Sequence, residues 1–524
     1  MKYSSEWRRF IERLGRWIDF DNDYKSMDVT FMESCWWVFK QLYDKDQVYR
    51  AYQIMPFSTA LCTPLSKMGA KQNEKLTLDP AVVVLFPLVD LPEHENTSLP
   101  IYTTTPWTLP SNMLIALNPS FEREIGQHYI ILETLLSTLY KDLKKAKYKV
   151  VAKIAGSDMI GWKYEPLFRY FAKAYSDCFR VIGAEYFTKP RPLAKKTTTP
   201  PSRLVFFGPE RLPPCPVDDK GCFTSQVAEY AGQHVNTADR AIIKDLRSTE
   251  RLLVERNITH TDKFCWRSDT QLIRKAVSSW FIRVANDTDA MLKNLDETKW
   301  RFANWVANAH DWNVSRNRYW GTPIPLWVSE DYDEVVCVGS VEELRRLSGY
   351  DGPLDDMHRD NVDGSRYLQA KAKAIFGGST RFSTAGRFES GCMPYASNHH
   401  PFKNKEQFEH QSFPADLIAE GLDQTRGWFY TLSVLGNKLF GTSPFRNCIV
   451  NGLVLKTAKK YPNLVINKYG PDALRLYLIN FPVVRGKPLR FKEAGVKDIV
   501  SRVLLPLWNS YRFFAEQAAL FNKT

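Results

Sequence analysis

The stretch from 416 to 455 constrains the fold more than any other part of this chain. Asp416-Leu-Ile-Ala419 is a short apolar strand, and Glu420-Gly-Leu-Asp-Gln-Thr-Arg-Gly427 is a polar turn. Trp428, Leu432, Leu435 and Leu439 then recur at i, i+4, i+7 and i+11, one face of a helix. Cys448-Ile-Val-Asn-Gly-Leu-Val-Leu455 is a second apolar strand. Strand, helix, strand in this order predicts a right-handed parallel crossover. Ligands of parallel sheets bind beyond the carboxyl ends of the strands. Glu420, Asp423 and Gln424 stand at that end, and Gly421 lets the backbone come close to a ligand. Carboxylates and an amide there suit an ammonium group or ribose hydroxyls. The competing reading is that Asp423 only caps the helix.

The whole chain, at 524 residues, has room for roughly three domains. Trp7, Phe10, Ile11, Leu14 and Ile18 predict an amphipathic helix over 5–20, and a second helix runs from Phe31 to Leu42. The character changes after residue 75. Val82-Val-Val-Leu-Phe86 reads as a strand, and Thr103-Thr-Thr-Pro-Trp-Thr-Leu-Pro-Ser-Asn112 as a Thr-rich turn. Short β-like runs follow at 148–152 and 203–207, and the Pro/Lys/Thr tract from Lys189 to Pro201 reads as a loop. The block is a β-rich insertion. Val500 to Phe521 is an apolar helix.

Composition excludes several classes. No run of about 18 apolar residues predicts a transmembrane helix, so no membrane partner is expected. The first ten residues have no apolar signal core. Nine cysteines without a C-x-x-C pair predict reduced thiols, a cytosolic setting and no bound zinc or other metal. The net charge of +13 suits a polyanion such as nucleic acid, although the bias is mild. The His399-His400 doublet reads as a surface loop.

Five runs stand out: Trp36 to Lys45, Cys265-Trp-Arg-Ser-Asp-Thr270, Asp311 to Trp327, Asp416 to Phe429 and Lys468-Tyr-Gly-Pro-Asp-Ala-Leu-Arg475. Together, in this order and over nearly the whole chain, they resemble the class I isoleucyl-tRNA synthetases. The Thr103–Asn112 run resembles the Thr-rich motif of the family's editing domain. Valyl and leucyl relatives share the layout; the Arg-Tyr-Trp-Gly-Thr-Pro and Asp-Gln-x-Arg-Gly-Trp-Phe runs favour isoleucyl, and the matches together look most like the eukaryotic cytosolic form.

The resemblance implies ATP-dependent activation of isoleucine and transfer to tRNA(Ile), with Mg2+ accompanying ATP. It implies a cytoplasmic enzyme and assembly in a multi-synthetase complex. Glu420, Gly421, Asp423 and Gln424 would hold the adenylate, and Trp428 would wall the isoleucine side chain. One methylene separates isoleucine from valine by only about 1–3 kcal/mol, a general figure whose standard illustration is this same family. A second, hydrolytic site answers that shortfall. Thr103, Thr104, Thr105 and Thr108 would line it, with Asn112 at its end; the competing reading is a plain β-turn.

The chain also departs from the family. It has no His-x-Gly-His element, and where Lys-Met-Ser-Lys-Ser is expected it reads Lys456-Thr-Ala-Lys-Lys-Tyr-Pro462. Lys459 and Lys460 are the remaining candidates for phosphate contact, or else solvated helix-flank lysines. The paired aspartates of the editing domain do not occur between Cys178 and Cys215, and Arg387 stands where the family has a pocket Trp. These gaps predict a fragment or gene model with impaired activity. The alternatives are a non-catalytic tRNA-binding or scaffolding fragment derived from a synthetase, and a valyl-tRNA synthetase relative. The expected architecture is α/β: a Rossmann-type parallel core (1–70 and 263–485), an editing-like β insertion (71–262), and the start of a helical anticodon-binding bundle (486–524).

Overall fold

The structure is a computed structural model. It describes residues 2–65, 69–91, 96–125, 128–131, 149–184, 194–196, 214–295, 303, 306–316, 321–329, 334–364, 383–384, 386–455 and 462–521. The chain is mixed α/β and divides into two compact units. One comprises Met1–Arg50 with Ser279–Thr524, the other Ala51–Ser278. The stretch 71–262 lies inside the second.

The first unit is built around buried helices. Val29–Asp44 buries Phe31, Met32, Cys35, Trp36, Val38, Phe39 and Leu42, so it is apolar on most of its circumference. It packs against the helices Gly386–Ala396 and Trp428–Phe440. Those two helices also pack on each other, and Gly391 makes their contact close: a Cβ there would lie 3.0 Å from Leu435 Cδ1 and 3.1 Å from Thr431 Cβ. The Trp36 indole donates to the carbonyl of Pro323 at 3.0 Å and meets Trp327 edge-on. Its polar tip is therefore satisfied inside the core.

The expected crossover is present. The strand Ala415–Gly421 pairs in parallel with Phe445–Asn451, in register from Ala415↔Phe445 to Gly421↔Asn451. The helix Trp428–Phe440 joins them and ends at Gly441 in the left-handed region. The second strand runs from Phe445 to Asn451 rather than over 448–455: it starts earlier and its pairing ends at Asn451. A separate short strand, Val454–Leu455, pairs in parallel with Leu489–Arg490. A satellite cluster around Ile466, Ala473, Tyr477 and Val496 packs beneath the helices Pro462–Tyr469, Pro471–Asn480 and Glu493–Ile499. The final helical stretch runs on through Val500–Leu504 to Leu505–Phe521 and exposes Trp508, Phe513 and Phe514.

Three local expectations need correction. The first helix covers only Lys2–Arg13, not 5–20. Gly15, at φ +74°, turns the chain, and Arg16 N–H returns to the Ile11 carbonyl at 3.3 Å, a left-handed helix stop. His399-His400 is not a surface loop. His400 is 2% exposed, with its ring 4.5 Å from Phe408 and 5.1 Å from Trp37, and His399 Nε2 meets Glu33 Oε2 at 2.8 Å. Aromatic packing outweighs the polarity of the imidazole there. Within the Pro/Lys/Thr tract, Ala194–Lys196 forms a short strand between Ser98–Thr103 and Leu114–Leu117, because backbone pairing needs no apolar side chains. The rest of that tract, the run 203–207 and Lys459 and Lys460 lie outside the described residues.

The second unit is β-rich. Its seven-stranded sheet runs in the order Leu252–Lys263, Glu74–Val89, Ser98–Thr103, Ala194–Lys196, Leu114–Leu117, Arg180–Gly183 and Lys163–Tyr164. A further pairing, Leu88↔Tyr164 and Val89↔Lys163, closes six of these strands into a ring. Closure leaves few free edges and encloses a core of Val82, Val84, Phe86, Ile101, Ile115, Tyr164 and Val181. The helix Val235–Ser248 covers part of this core through Val235, Ala238, Ile242 and Leu246.

Candidate functional site

Among the described residues, one place in each unit gathers the polar side chains singled out above. In the first unit, Glu420 and Gly421 end the strand Ala415–Gly421, and Glu420 is exposed at its carboxyl end. Asp423 and Gln424 follow on the single turn Leu422–Arg426. Gln424, not Asp423, caps the following helix. Its Oε1 accepts the Trp428 N–H at 2.9 Å, and its Nε2 donates to Asp423 Oδ2 at 3.0 Å. Asp423 is thereby oriented yet remains exposed, with its second oxygen beside Gly421. A Cβ on Gly421 would sit 2.7 Å from Asp423 Oδ1, so only glycine leaves that carboxylate in place. Gly427 makes the same accommodation to Gln424 Oε1, again at 2.7 Å. The Trp428 indole N–H donates to the Ser390 carbonyl at 2.9 Å, which fixes the ring against the helix Gly386–Ala396.

Arg387 opens the next question, because a buried unpaired guanidinium is costly. The side chain turns outward: it is exposed and donates to the Arg426 carbonyl at 3.4 Å. Glu389, two residues on, is half-buried. Its Oε1 accepts the Thr322 N–H at 2.6 Å, and burial raises its carboxyl above the ordinary range against the pull of that bond. No spacing signal in the sequence marks Glu389, since its partner is remote in the chain.

In the second unit a cleft of about 430 Å³ is lined by Thr104, Thr105 and Thr108 together with Asp79, Asp239, His260 and Gln271. The strand Ser98–Thr103 delivers the threonines, which turn through Thr105 into the short 3-10 helix Pro106–Ser111. Thr105 Oγ1 stands 3.2 Å from Thr103 Oγ1 and 3.3 Å from Thr108 Oγ1, and Thr108 donates to the Thr105 carbonyl at 2.7 Å. Asp239 accepts the Trp107 N–H at 2.6 Å and anchors that turn. Thr103 itself is buried behind the cleft. Asn112 is buried too: its Oδ1 accepts the Tyr164 hydroxyl at 2.9 Å, and its amide donates to the Leu114 carbonyl. The structure thus brings Thr104, Thr105 and Thr108 to one wall and sends Asn112 into the core.

The other lining residues of this cleft carry no signal in the sequence. Leu252–Lys263 pairs with Glu74–Val89 in the register Asp79↔Ile258, Thr77↔His260 and Lys75↔Asp262. Opposed residues share a face and successive ones alternate, so Thr77, Asp79, His260 and Asp262 lie on one face. His260 Nε2 meets Asp79 Oδ2 at 2.8 Å. Gln271 Nε2 reaches Asp79 Oδ2 at 3.3 Å and Asp262 Oδ2 at 2.8 Å, and Thr77 Oγ1 reaches Asp79 Oδ2 at 3.2 Å. Among the described residues no three His, Cys, Asp or Glu side chains converge as a metal site.

Residues 1–490 match the family described as tRNA synthetases class I (I, L, M and V). The chain is 48% identical over 557 residues to the cytoplasmic isoleucine–tRNA ligase of Schizosaccharomyces pombe, covering 100% of this chain and 52% of that protein. It is 49% identical over 564 residues to its counterpart in Saccharomyces cerevisiae, covering 100% and 51%. With the Mus musculus counterpart it shares 48% over 561 residues, covering 100% and 43%. The chain spans about half the length of the curated relatives it matches.

Proposed function

From the premise that the chain belongs to the class I tRNA synthetases, we propose that it is part of a cytoplasmic isoleucine–tRNA ligase. Its substrates are isoleucine, ATP with Mg2+, and tRNA(Ile). The single observation that carries the isoleucine reading is the near-50% identity to isoleucine–tRNA ligases over its whole length. The first unit is the Rossmann-type core, on this reading, and the parallel crossover is its amino-acid side. Glu420, Asp423 and Gln424 hold the ammonium and ribose groups of the adenylate, and Trp428 walls the side chain. Catalysis of this kind is positioning and charge stabilisation, so a fixed carboxylate–amide pair at the strand end fits it. The second unit is the inserted editing domain, whose threonine-lined cleft takes the wrongly acylated tRNA 3′ end. The final helices begin the anticodon-binding region. With Lys456-Thr-Ala-Lys-Lys-Tyr-Pro462 in the place of the Lys-Met-Ser-Lys-Ser element, the activation step is slow in this chain.

The test separates binding from turnover. Calorimetric titration with a non-hydrolysable isoleucyl-adenylate analogue is expected to give saturable binding that Asp423→Ala weakens. ATP–pyrophosphate exchange with isoleucine is expected to stay far below that of a complete synthetase. Absence of analogue binding, or equal binding of the leucyl analogue, overturns the isoleucine reading. Exchange at the rate of a complete enzyme overturns the claim of impairment.

A further inference from the structure

We propose that Asp79 and His260 form a general-base dyad that hydrolyses an aminoacyl ester in the threonine-lined cleft; this rests on the editing reading of the second unit. Three observations carry it. The two residues lie 181 positions apart, yet strand register brings them to one face and within 2.8 Å. They line the same cleft as Thr104, Thr105 and Thr108, and a volume of about 430 Å³ falls in the range of small-ligand sites. Their side chains remain 22% and 32% exposed, so water reaches them.

The hydrogen bonds set the tautomer. Asp79 accepts, so His260 Nε2 carries the proton and Nδ1 carries the lone pair. Nδ1 has no protein partner among the described residues, whereas Asp79 Oδ2 is held by Thr77, Gln271 and His260 together. That is the order of a base oriented by a fixed carboxylate. The charged groups around it are Asp79, Asp262 and Lys263 on the paired strands, Asp239 and Arg240 on the helix Val235–Ser248, and Arg274.

In the step, His260 Nδ1 takes a proton from water, and the water oxygen bonds to the ester carbonyl carbon. The tetrahedral oxyanion collapses, the bond from carbon to the ribose oxygen breaks, and His260 Nδ1–H returns the proton to that oxygen. A free amino acid and an uncharged tRNA 3′ end result. Thr104, whose hydroxyl has no protein partner among the described residues, is placed to donate to the ester.

Deacylation of valyl-tRNA(Ile) by the full chain tests this, with binding of a non-hydrolysable valyl-adenosine amide as a second readout. His260→Ala and His260→Gln are expected to lose about a hundredfold in rate, with amide binding retained. Asp79→Asn is expected to shift the pH–rate profile, and His260→Gln to abolish its His-dependent limb. Wild-type deacylation left unchanged by His260→Gln overturns the dyad while the editing reading stands. A wild-type chain that neither deacylates nor binds the amide overturns both.

Discussion

Gln424 Oε1 accepts the Trp428 N–H at 2.9 Å while its other terminal atom holds Asp423 Oδ2 at 3.0 Å. One amide therefore caps a helix and orients a carboxylate. Gln424→Ala is expected to cost about 1 kcal/mol in stability through the lost cap. It also frees Asp423 to rotate, so adenylate-analogue binding weakens. Gln424→Glu keeps the acceptor for Trp428 but sets a carboxylate against Asp423. Denaturant midpoints and calorimetry on the same variants read the two effects separately.

Asn112 and Tyr164 are both buried and bonded to each other. Removing one partner strands the other, at about 1–3 kcal/mol. Asn112→Ala is thus expected to lower the urea midpoint of the second unit. Asn112→Ala with Tyr164→Phe is expected to cost less than the sum of the single changes. Additive losses would contradict the coupling.

Glu389 has its carboxyl raised by burial, so the folded state binds its proton more tightly than the unfolded chain does. Its contribution is full at pH below the unfolded carboxyl value of about 4.3 and is lost as pH rises through the raised folded value. Glu389→Gln keeps an acceptor for the Thr322 N–H. It is expected to match the wild type near pH 4 and exceed it in stability at pH 7. Chemical denaturation at both pH values checks this.

His400 behaves in the opposite sense. Burial among Trp37, Phe408 and Phe440 lowers its pKa, with Glu409 opposing and Lys405 adding to the shift. Its stability contribution is present above the unfolded value of about 6.5 and is lost as pH falls toward the folded one. His400→Phe is expected to flatten the stability curve of the first unit between pH 7 and 5. An unchanged acid limb in that variant would assign it elsewhere.

The local pattern was sufficient for the crossover at 415–451, because helix and strand periodicities and a polar turn are all encoded within about 35 residues. It marked Gly421 as a close-approach position and the threonines as a cluster, whereas the fit of Gly421 to Asp423 and of Gly427 to Gln424 came only from the structure. It failed at the end of the first helix, where Gly15 outweighs the apolar spacing. It failed again at His400, whose surroundings come from residues far along the chain. The division of labour between Gln424 and Asp423 needed side-chain geometry, since either residue type can cap a helix.

The sequence by itself determined family membership, the β-rich character of the inserted block, and the side-chain inventory at the carboxyl end of the parallel strand. Tertiary structure alone decided that Asn112 is a core residue and that Arg387 faces outward. It alone joined Asp79 to His260. The physical reason is that strand register between distant segments is set by the packing of a whole face, and no local periodicity records it.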